Sequence, residues 1–328
     1  MGDNVVTVAT DPIAEPAVTS EPKPAAAAAV RTRRNRGEMR GVLSDIERSK
    51  RSIRWSVRGV HGLLLAFLLV AGLGPLLWLA KSSVSTTQDT LRHPMSLWPS
   101  GLDLENLSVA WNEAEMGHYF FNTVKVALGA WLVQVVVAVT GGYVLGILKP
   151  WYGRIVTGMV LATLFIPPVV LLVPLFVTVL DLPFVGWSLL NSYWGVWLPA
   201  GASAFNVLLV KRFFENIPIE LVEAARVDGA GPFRLLWSIV LPMSRPIIGV
   251  VSVFAILTAW KDFLWPLVVL PEPTLQPLSV RLPTVRRTLQ LDVFLAALLI
   301  STVIPVSLFL VCQRFVLRGA GLSGAVKG

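Results

Sequence analysis

Cysteine and charge are both scarce in this chain of 328 residues. The single cysteine, Cys312, excludes an intrachain disulfide, and its place inside an apolar run suits a small packing residue. The three histidines, His61, His93 and His118, stand alone, without a cysteine or carboxylate at metal-ligand spacing, so no metal site is expected. No Gly-x-x-x-x-Gly-Lys-[Ser/Thr] stretch occurs, which excludes ATP binding through a phosphate loop. No nucleophile is paired with a base, so the expected set of catalytic residues and bound cofactors is empty. Charged residues make up 15% of the chain, against about 25% in soluble domains.

What replaces charge is length of apolar sequence. Hydrophobic residues reach 54% and the mean hydropathy is +0.67. A bilayer-crossing helix needs about 20 mainly apolar residues. Six stretches meet that test, at about 60–80, 123–148, 155–180, 193–210, 247–270 and 293–313. No charge lies between Arg154 and Asp181 or between Asp181 and Lys211. Strands of a membrane barrel would be about 10 residues long and would alternate. The expected class is therefore an all-α, multi-pass protein of the cell (inner or cytoplasmic) membrane.

The net charge of +8 fits membrane orientation better than a nucleic-acid partner, because Lys and Arg flank the apolar runs without interleaved aromatics. Ten cations from Arg31 to Arg58 precede the first run, placing the N-terminus in the cytoplasm. Alternation then places Lys149 and Arg154, Lys211 to Arg245, and Arg314, Arg318 and Lys327 on the same side, with a cytoplasmic C-terminus. Residues 1–37, rich in Pro and Ala, read as a disordered tail. Residues 38–58 form a basic juxtamembrane segment, either a helix on anionic lipid or a solvated linker. The first apolar run is too long and too far in for a cleaved signal, and is expected to remain as an anchor. Residues 59–328 form the transmembrane domain.

Residues 213–245 are a polar island. Pro218 suits the start of a helix, and Glu220 to Val227 can form two turns. Gly229 supplies the left-handed conformation that ends them. Pro232 can start a second helix through Phe233, Leu236 and Ile239, broken again by Leu241-Pro242 and Pro246. The small side chains of Ala224 and Ala225 allow another surface to approach closely.

The run Glu223-Ala224-Ala225-Arg226-Val227-Asp228-Gly229-Ala230, followed by Ile239-Val240-Leu241-Pro242, resembles the EAA loop of permease subunits in ABC importers. The resemblance covers about residues 60–328. With Phe165-Ile166-Pro167-Pro168, the segment Trp260 to Pro266 and the ending from Arg318, it narrows to the second, six-span permease of maltose-type sugar importers. It implies a type I importer fold in which Glu223, Ala224, Ala225, Asp228, Gly229 and Ala230 couple to an ATPase. The implied partners are a second permease in a heterodimer, two ATPase subunits that carry ATP and Mg, and an extracytoplasmic sugar-binding protein. Lys261 departs from the family, which often has asparagine there.

Within the spans, charge is expensive, so Lys261 and Asp262 are candidates to line a substrate pathway or to bond neighbouring helices. Lys125 suits snorkelling to the interface. Sugars stack on aromatics and bond to a few polar groups, which adds Ser203, Asn206 and Trp260. The Pro167-Pro168 pair and Pro174 imply a kink, and Gly141-Gly142 implies close helix packing. Arg281, Arg286 and Arg287 break the orientation rule, and the resemblance offers them as binding-protein contacts, with solvent or lipid phosphate as the other reading. The cargo stays open between a disaccharide or oligosaccharide and another polar solute such as glycerol phosphate or a polyamine. An ion-coupled secondary transporter is a further alternative, with Asp262 as its one intramembrane carboxylate; a membrane-embedded glycosyltransferase lacks the acid, base or metal it would need.

Overall fold

The computed structural model describes Gly2 and residues 51–321, with side-chain surroundings described for 57–311. The tail at 1–37, the basic segment as far as residue 50, the side chains of Cys312, Arg314 and Arg318, and Lys327 lie outside the described residues. Two compact units are distinguished, 1–66 and 67–328. Among the described residues every regular element is helical. The first helix, α1 (Arg51–Ser83), absorbs residues 51–58 of the expected juxtamembrane segment into its opening turns.

Helices α2 (Thr87–Arg92), α3 (Met116–Tyr143), α4 (Gly153–Thr163) and α5 (Leu172–Leu180) follow. Next come α6 (Tyr193–Ala200), α7 (Ala204–Phe214), α8 (Ile219–Val227) and α9 (Pro232–Leu235). The last four are α10 (Arg245–Lys261), α11 (Leu264–Val269), α12 (Leu278–Val285) and α13 (Leu291–Gly321). Three helical stretches are long and apolar enough to cross a bilayer unbroken, at Val57–Ser83, Met116–Leu148 and Leu291–Val311. Three more qualify only as bent pairs: Gly153–Thr163 with Pro168–Leu180 at 101°, Tyr193–Ala200 with Ala204–Phe214 at 43°, and Pro232–Met243 with Arg245–Lys261 at 81°.

The 101° bend falls at Pro167-Pro168, where the sequence implied a kink, whereas the breaks within 193–210 and 247–270 were not expected. α10 stops at Lys261 and the chain restarts as α11. Prolines near the breaks and within α13 also strip carbonyls of their donors, because proline cannot donate to the carbonyl four residues earlier. Pro266 leaves the carbonyl of Asp262 without its helical donor, and the Ser279 hydroxyl donates to it at 2.7 Å. Pro199 does the same to Gly195, whose carbonyl accepts from the Trp265 indole at 3.1 Å. Pro305 does the same to Ser301 inside α13, and the Trp260 indole donates there at 3.1 Å. The helix from Pro232, by contrast, runs on past Pro242. A widened π turn at Leu236–Val240 carries it to a break at Ser244, where Pro246 sits in the first turn of α10 and needs no donor.

α3 is the rod around which the rest is assembled. With its π extension to Leu148 it spans about 50 Å at 1.5 Å per residue. One cluster surrounds its N-terminal end, joining Met116 and Tyr119 to Leu278, Leu282, Val293 and Ala296. Another surrounds its C-terminal end, joining Ala138, Val139 and Tyr143 to Val207, Val210, Phe214, Val222, Leu235 and Val240. Close approach on this side depends on missing side chains. A Cβ at Gly142 would lie 2.7 Å from Val210 Cγ1 and 3.0 Å from Lys211 N, and one at Gly146 would lie 3.0 Å from the Lys211 carbonyl oxygen. The expected packing role of Gly141-Gly142 therefore falls chiefly on Gly142, with Gly146 one turn on.

At the other end, α1 is tied to the bundle by polar groups. Lys81 pairs with Asp89 at 3.2 Å, both nearly buried. The Asp89 carboxylate also accepts from the hydroxyl and, at 3.2 Å, the backbone N–H of Ser100. These bonds, with Lys81, hold its pKa down at about 2. Asn106 donates to the Ser85 carbonyl at 3.1 Å. Asp292, at the start of α13, accepts from Thr87 N at 3.1 Å, and its own N–H donates back to the Thr87 hydroxyl at 3.3 Å.

Two outcomes follow. A Gly142→Val variant should lose about 1–3 kcal/mol through overpacking against Val210, read as a lower midpoint of thermal unfolding in detergent. Because the folded pKa of Asp89 lies below its ordinary 3.8, its contribution is complete above the ordinary value and is lost as pH falls toward the folded one. Wild type should unfold at a higher temperature than Asp89→Asn at neutral pH, and the gap should close between pH about 4 and about 2. A gap independent of pH would contradict this assignment.

Candidate functional site

Two features outside the packed rod carry chemistry: a helical arm at one end and, in the middle, a mainly apolar cavity with a few polar groups. The arm begins at Pro218, whose φ of −52° and ψ of 127° turn the chain into α8. α8 ends in a Schellman closure, with Gly229 at φ 76°. The Ala230 N–H donates to the Ala225 carbonyl at 2.9 Å and the Gly229 N–H to the Arg226 carbonyl at 3.0 Å. Ala230 completes the motif by packing on the core cluster beside Ala225. The Asp228-Gly229-Ala230 sequence is thus a helix stop that returns the chain into α9. The Tyr143 hydroxyl pins α9 to α3 by donating to the Pro232 carbonyl at 2.8 Å.

The arm presents two faces. Val222 and Ala225 point inward and are buried, so Ala225 faces the core and not an approaching surface as the sequence suggested. Glu223, Ala224, Asp228 and Gly229 are exposed, and Ala230 is half-buried. Around them Val227, Phe233 and Trp237 stand 87%, 81% and 69% exposed. Three large apolar side chains so bare near an acidic helix face suit protein contact. Behind the arm, the Lys211–Glu215 ion pair at 2.7 Å, with Arg212 at 3.5 Å, lowers the Glu215 pKa, Lys211 being the main cause.

The cavity, about 210 Å³ and half-open, lies between the unbroken α3 and the ends of α6, α10 and α11 next to their breaks. Gln134, Thr258, Asp262 and Trp265 supply its polar atoms, and Ala130, Leu175 and Val196 are among its apolar walls. Gln134 was missed in the sequence because a lone glutamine in an apolar run has no motif. It bridges the break between α6 and α7, donating to the Ala200 carbonyl at 2.8 Å and accepting from Asn206 Nδ2 at 2.8 Å. Asn206 is buried and its Oδ1 has no hydrogen-bond partner among the described residues. Ser203 caps α7, its Oγ accepting from the Asn206 N–H at 3.5 Å.

The sequence candidates are therefore divided. Asp262 lines the cavity, its Oδ1 accepting weakly from the Trp265 N–H at 3.5 Å. Lys261, next to it, is exposed, as is Lys125. Trp260 is 5% exposed and packs edge-on against Phe120. With its N–H given to Ser301, its indole is occupied in helix repair. Arg281 lies over the Tyr119 ring at 5.1 Å, half-buried, whereas Arg286 and Arg287 are exposed. His118 and Asn122 reach the Thr274 carbonyl, each at 2.7 Å, and hold the loop between α11 and α12 on α3.

Comparison with known proteins identifies the family. Residues 138–318 match the family described as the inner membrane component of binding-protein-dependent transport systems. The probable ABC transporter permease protein YurM of Bacillus subtilis is 32% identical over 280 residues, covering 84% of this chain and 91% of that one. The diacetylchitobiose uptake system permease NgcG of Streptomyces coelicolor is 31% identical, covering 77% and 84%. The sn-glycerol-3-phosphate permease UgpE of Agrobacterium fabrum is 29% identical, covering 78% and 93%. A chain from the crystal structure of a bacterial ABC transporter that imports the acidic polysaccharide alginate superposes with a TM-score of 0.69 at 21% identity, over 84% of this chain and 99% of that one. The resemblance drawn from the Glu223 to Ala230 run is borne out at the level of family, and the fold is the all-helical, type I importer permease fold.

The indole repair is directly testable. Trp260→Phe should leave the Ser301 carbonyl unpaired in an apolar layer, at a loss of about 1–3 kcal/mol. Adding Pro305→Ala restores a backbone donor four residues on and should recover much of that loss. Simple additivity of the two changes in thermal unfolding would refute the pairing.

Proposed function

Because the chain belongs to the inner-membrane components of binding-protein-dependent transport systems, we propose that it is one permease subunit of an ATP-driven importer for a sugar. In this reading it pairs with a second permease, and the α8 arm seats in an ATPase subunit on the cytoplasmic side. The two unbroken later spans, α1 and the three bent pairs make six crossings, with both termini in the cytoplasm. ATP and Mg belong to the ATPase subunits, and the sugar arrives on an extracytoplasmic binding protein that meets the end carrying Arg286 and Arg287.

The observation that carries this reading is the arm itself. Its inward face is welded to α3 and α7 through Val222, Ala225 and Leu235, and its outward face exposes Glu223, Ala224, Val227 and Phe233. A push on such an element moves the helices behind it as a body, which suits a rocking transition between two access states. A sugar cargo is supported by the diacetylchitobiose relative and by the cavity, whose described lining offers Gln134, Thr258 and Asp262 without a cation. A second reading, glycerol phosphate, is favoured by the UgpE relatives. A phosphate ester in this cavity would face Asp262 with no cation among the described lining residues.

The test uses the full assembly in proteoliposomes. Gly229→Val forces a β-branched residue to φ 76°, at about 1–2 kcal/mol, with no steric neighbour to confuse the result. Sugar uptake should fall at least about tenfold, a cost of about 1.4 kcal/mol or more in coupling, while ATP hydrolysis continues and the protein stays inserted. Undiminished uptake would remove the arm from the mechanism.

A further inference from the structure

We propose that the cleft between the end of α3 and the start of α4 binds the head group of an anionic phospholipid. The cleft, about 660 Å³, is lined by Lys149, Trp151, Arg154, Thr157, Lys211 and Glu215. Its net charge is positive, because Glu215 is matched by Lys211 at 2.7 Å. Lys149 and Arg154 make no ion pair among the described residues and are exposed. The unfilled cationic pair is therefore available to a phosphate diester, the chemistry shared by lipid head groups and free phosphate.

Three further observations place a lipid there. Lys149 directly follows the apolar stretch Met116–Leu148, and α4 opens the next one, so the cleft lies at the boundary of the hydrocarbon layer. Trp151 and Tyr152 are 89% and 44% exposed at that level, in the position of an interfacial aromatic belt. Ile155 and Met159 continue the exposed apolar surface along α4 away from the cations. One ligand satisfies both halves: a phosphate among Lys149, Arg154 and the Thr157 hydroxyl, with acyl chains on Ile155 and Met159. The cleft conformation is held from inside, by Lys149 at φ 47° closing the α3 extension and by Gly153 buried against Pro150. A lipid seated here touches Lys211, the last turn of α7, just before the chain enters the arm. The inference requires insertion in a bilayer and is independent of the cargo.

The experiment uses the full chain in its purified assembly, in nanodiscs of phosphatidylcholine with and without phosphatidylglycerol, and counts retained lipids by native mass spectrometry. Wild type should retain phosphatidylglycerol in preference to phosphatidylcholine. Lys149→Gln with Arg154→Gln should weaken that retention about thirtyfold, two cations at about 1 kcal/mol each. Arg245→Gln, an exposed cation outside the lining and without a bond to it, should leave it unchanged, and thermal unfolding of all variants separates lost binding from lost folding. A parallel arm adds inorganic phosphate alone to lipid-depleted protein. Stabilisation by phosphate equal to that by phosphatidylglycerol would assign the cleft to a free anion and overturn the lipid. Equal retention in the double variant, or equal loss in Arg245→Gln, would overturn the site.

Discussion

A peptide carbonyl stripped of its helical donor cannot remain bare in hydrocarbon, and the membrane-embedded part of this protein is arranged around that constraint. Prolines at 199, 266 and 305 each remove one donor. The replacements come from Trp265, Ser279 and Trp260, in every case from a different helix. Each repair is thus also a tertiary contact, so the bond that satisfies the carbonyl also fastens two elements together. The segment from Trp260 to Pro266 supplies two of the donors and one of the orphaned carbonyls, which makes it the joint where α6, α10, α11 and α13 are fastened.

Bending creates polar room as well as constraint. Straight helices would present only side chains to the middle of the layer. The breaks at Gly201 to Ser203 and at Asp262 bring main-chain termini, Gln134, Asn206 and Asp262 to one level, beside a cavity otherwise walled by Ala, Leu and Val. The arm follows a different logic. It lies beyond the apolar layer, and its stiffness comes from an αL glycine, a Schellman closure and an apolar inner face continuous with the cluster around Phe214 and Val240.

Much of the arm was legible in the sequence, because its signals are local. Pro218, Gly229 and Pro232 each dictate a backbone conformation on their own, and all three act where expected. The class and family were equally legible, from uncharged runs and the Glu223 to Ala230 pattern. Side-chain direction was not. Ala224 and Ala225 are the same residue type, and only the helix phase against α3 decides that one faces out and the other in. Trp260 was read as a sugar platform because its chemistry allows it; its partner, the Ser301 carbonyl, lies 41 residues away and leaves no mark on the composition nearby. The Asp292 clasp on Thr87 was missed for the same reason, since the two are separated by 205 residues.

The distance along the chain between each orphaned carbonyl and its donor also sets an order of events during synthesis. Ser301 is made after Trp260, so its donor is waiting when α13 forms. Gly195 is made 70 residues before Trp265, and Asp262 is made 17 before Ser279. The bend at Pro199 therefore leaves the ribosome with its carbonyl still dependent on water, and α6 can settle to full depth only after the joint at Trp265 has been translated.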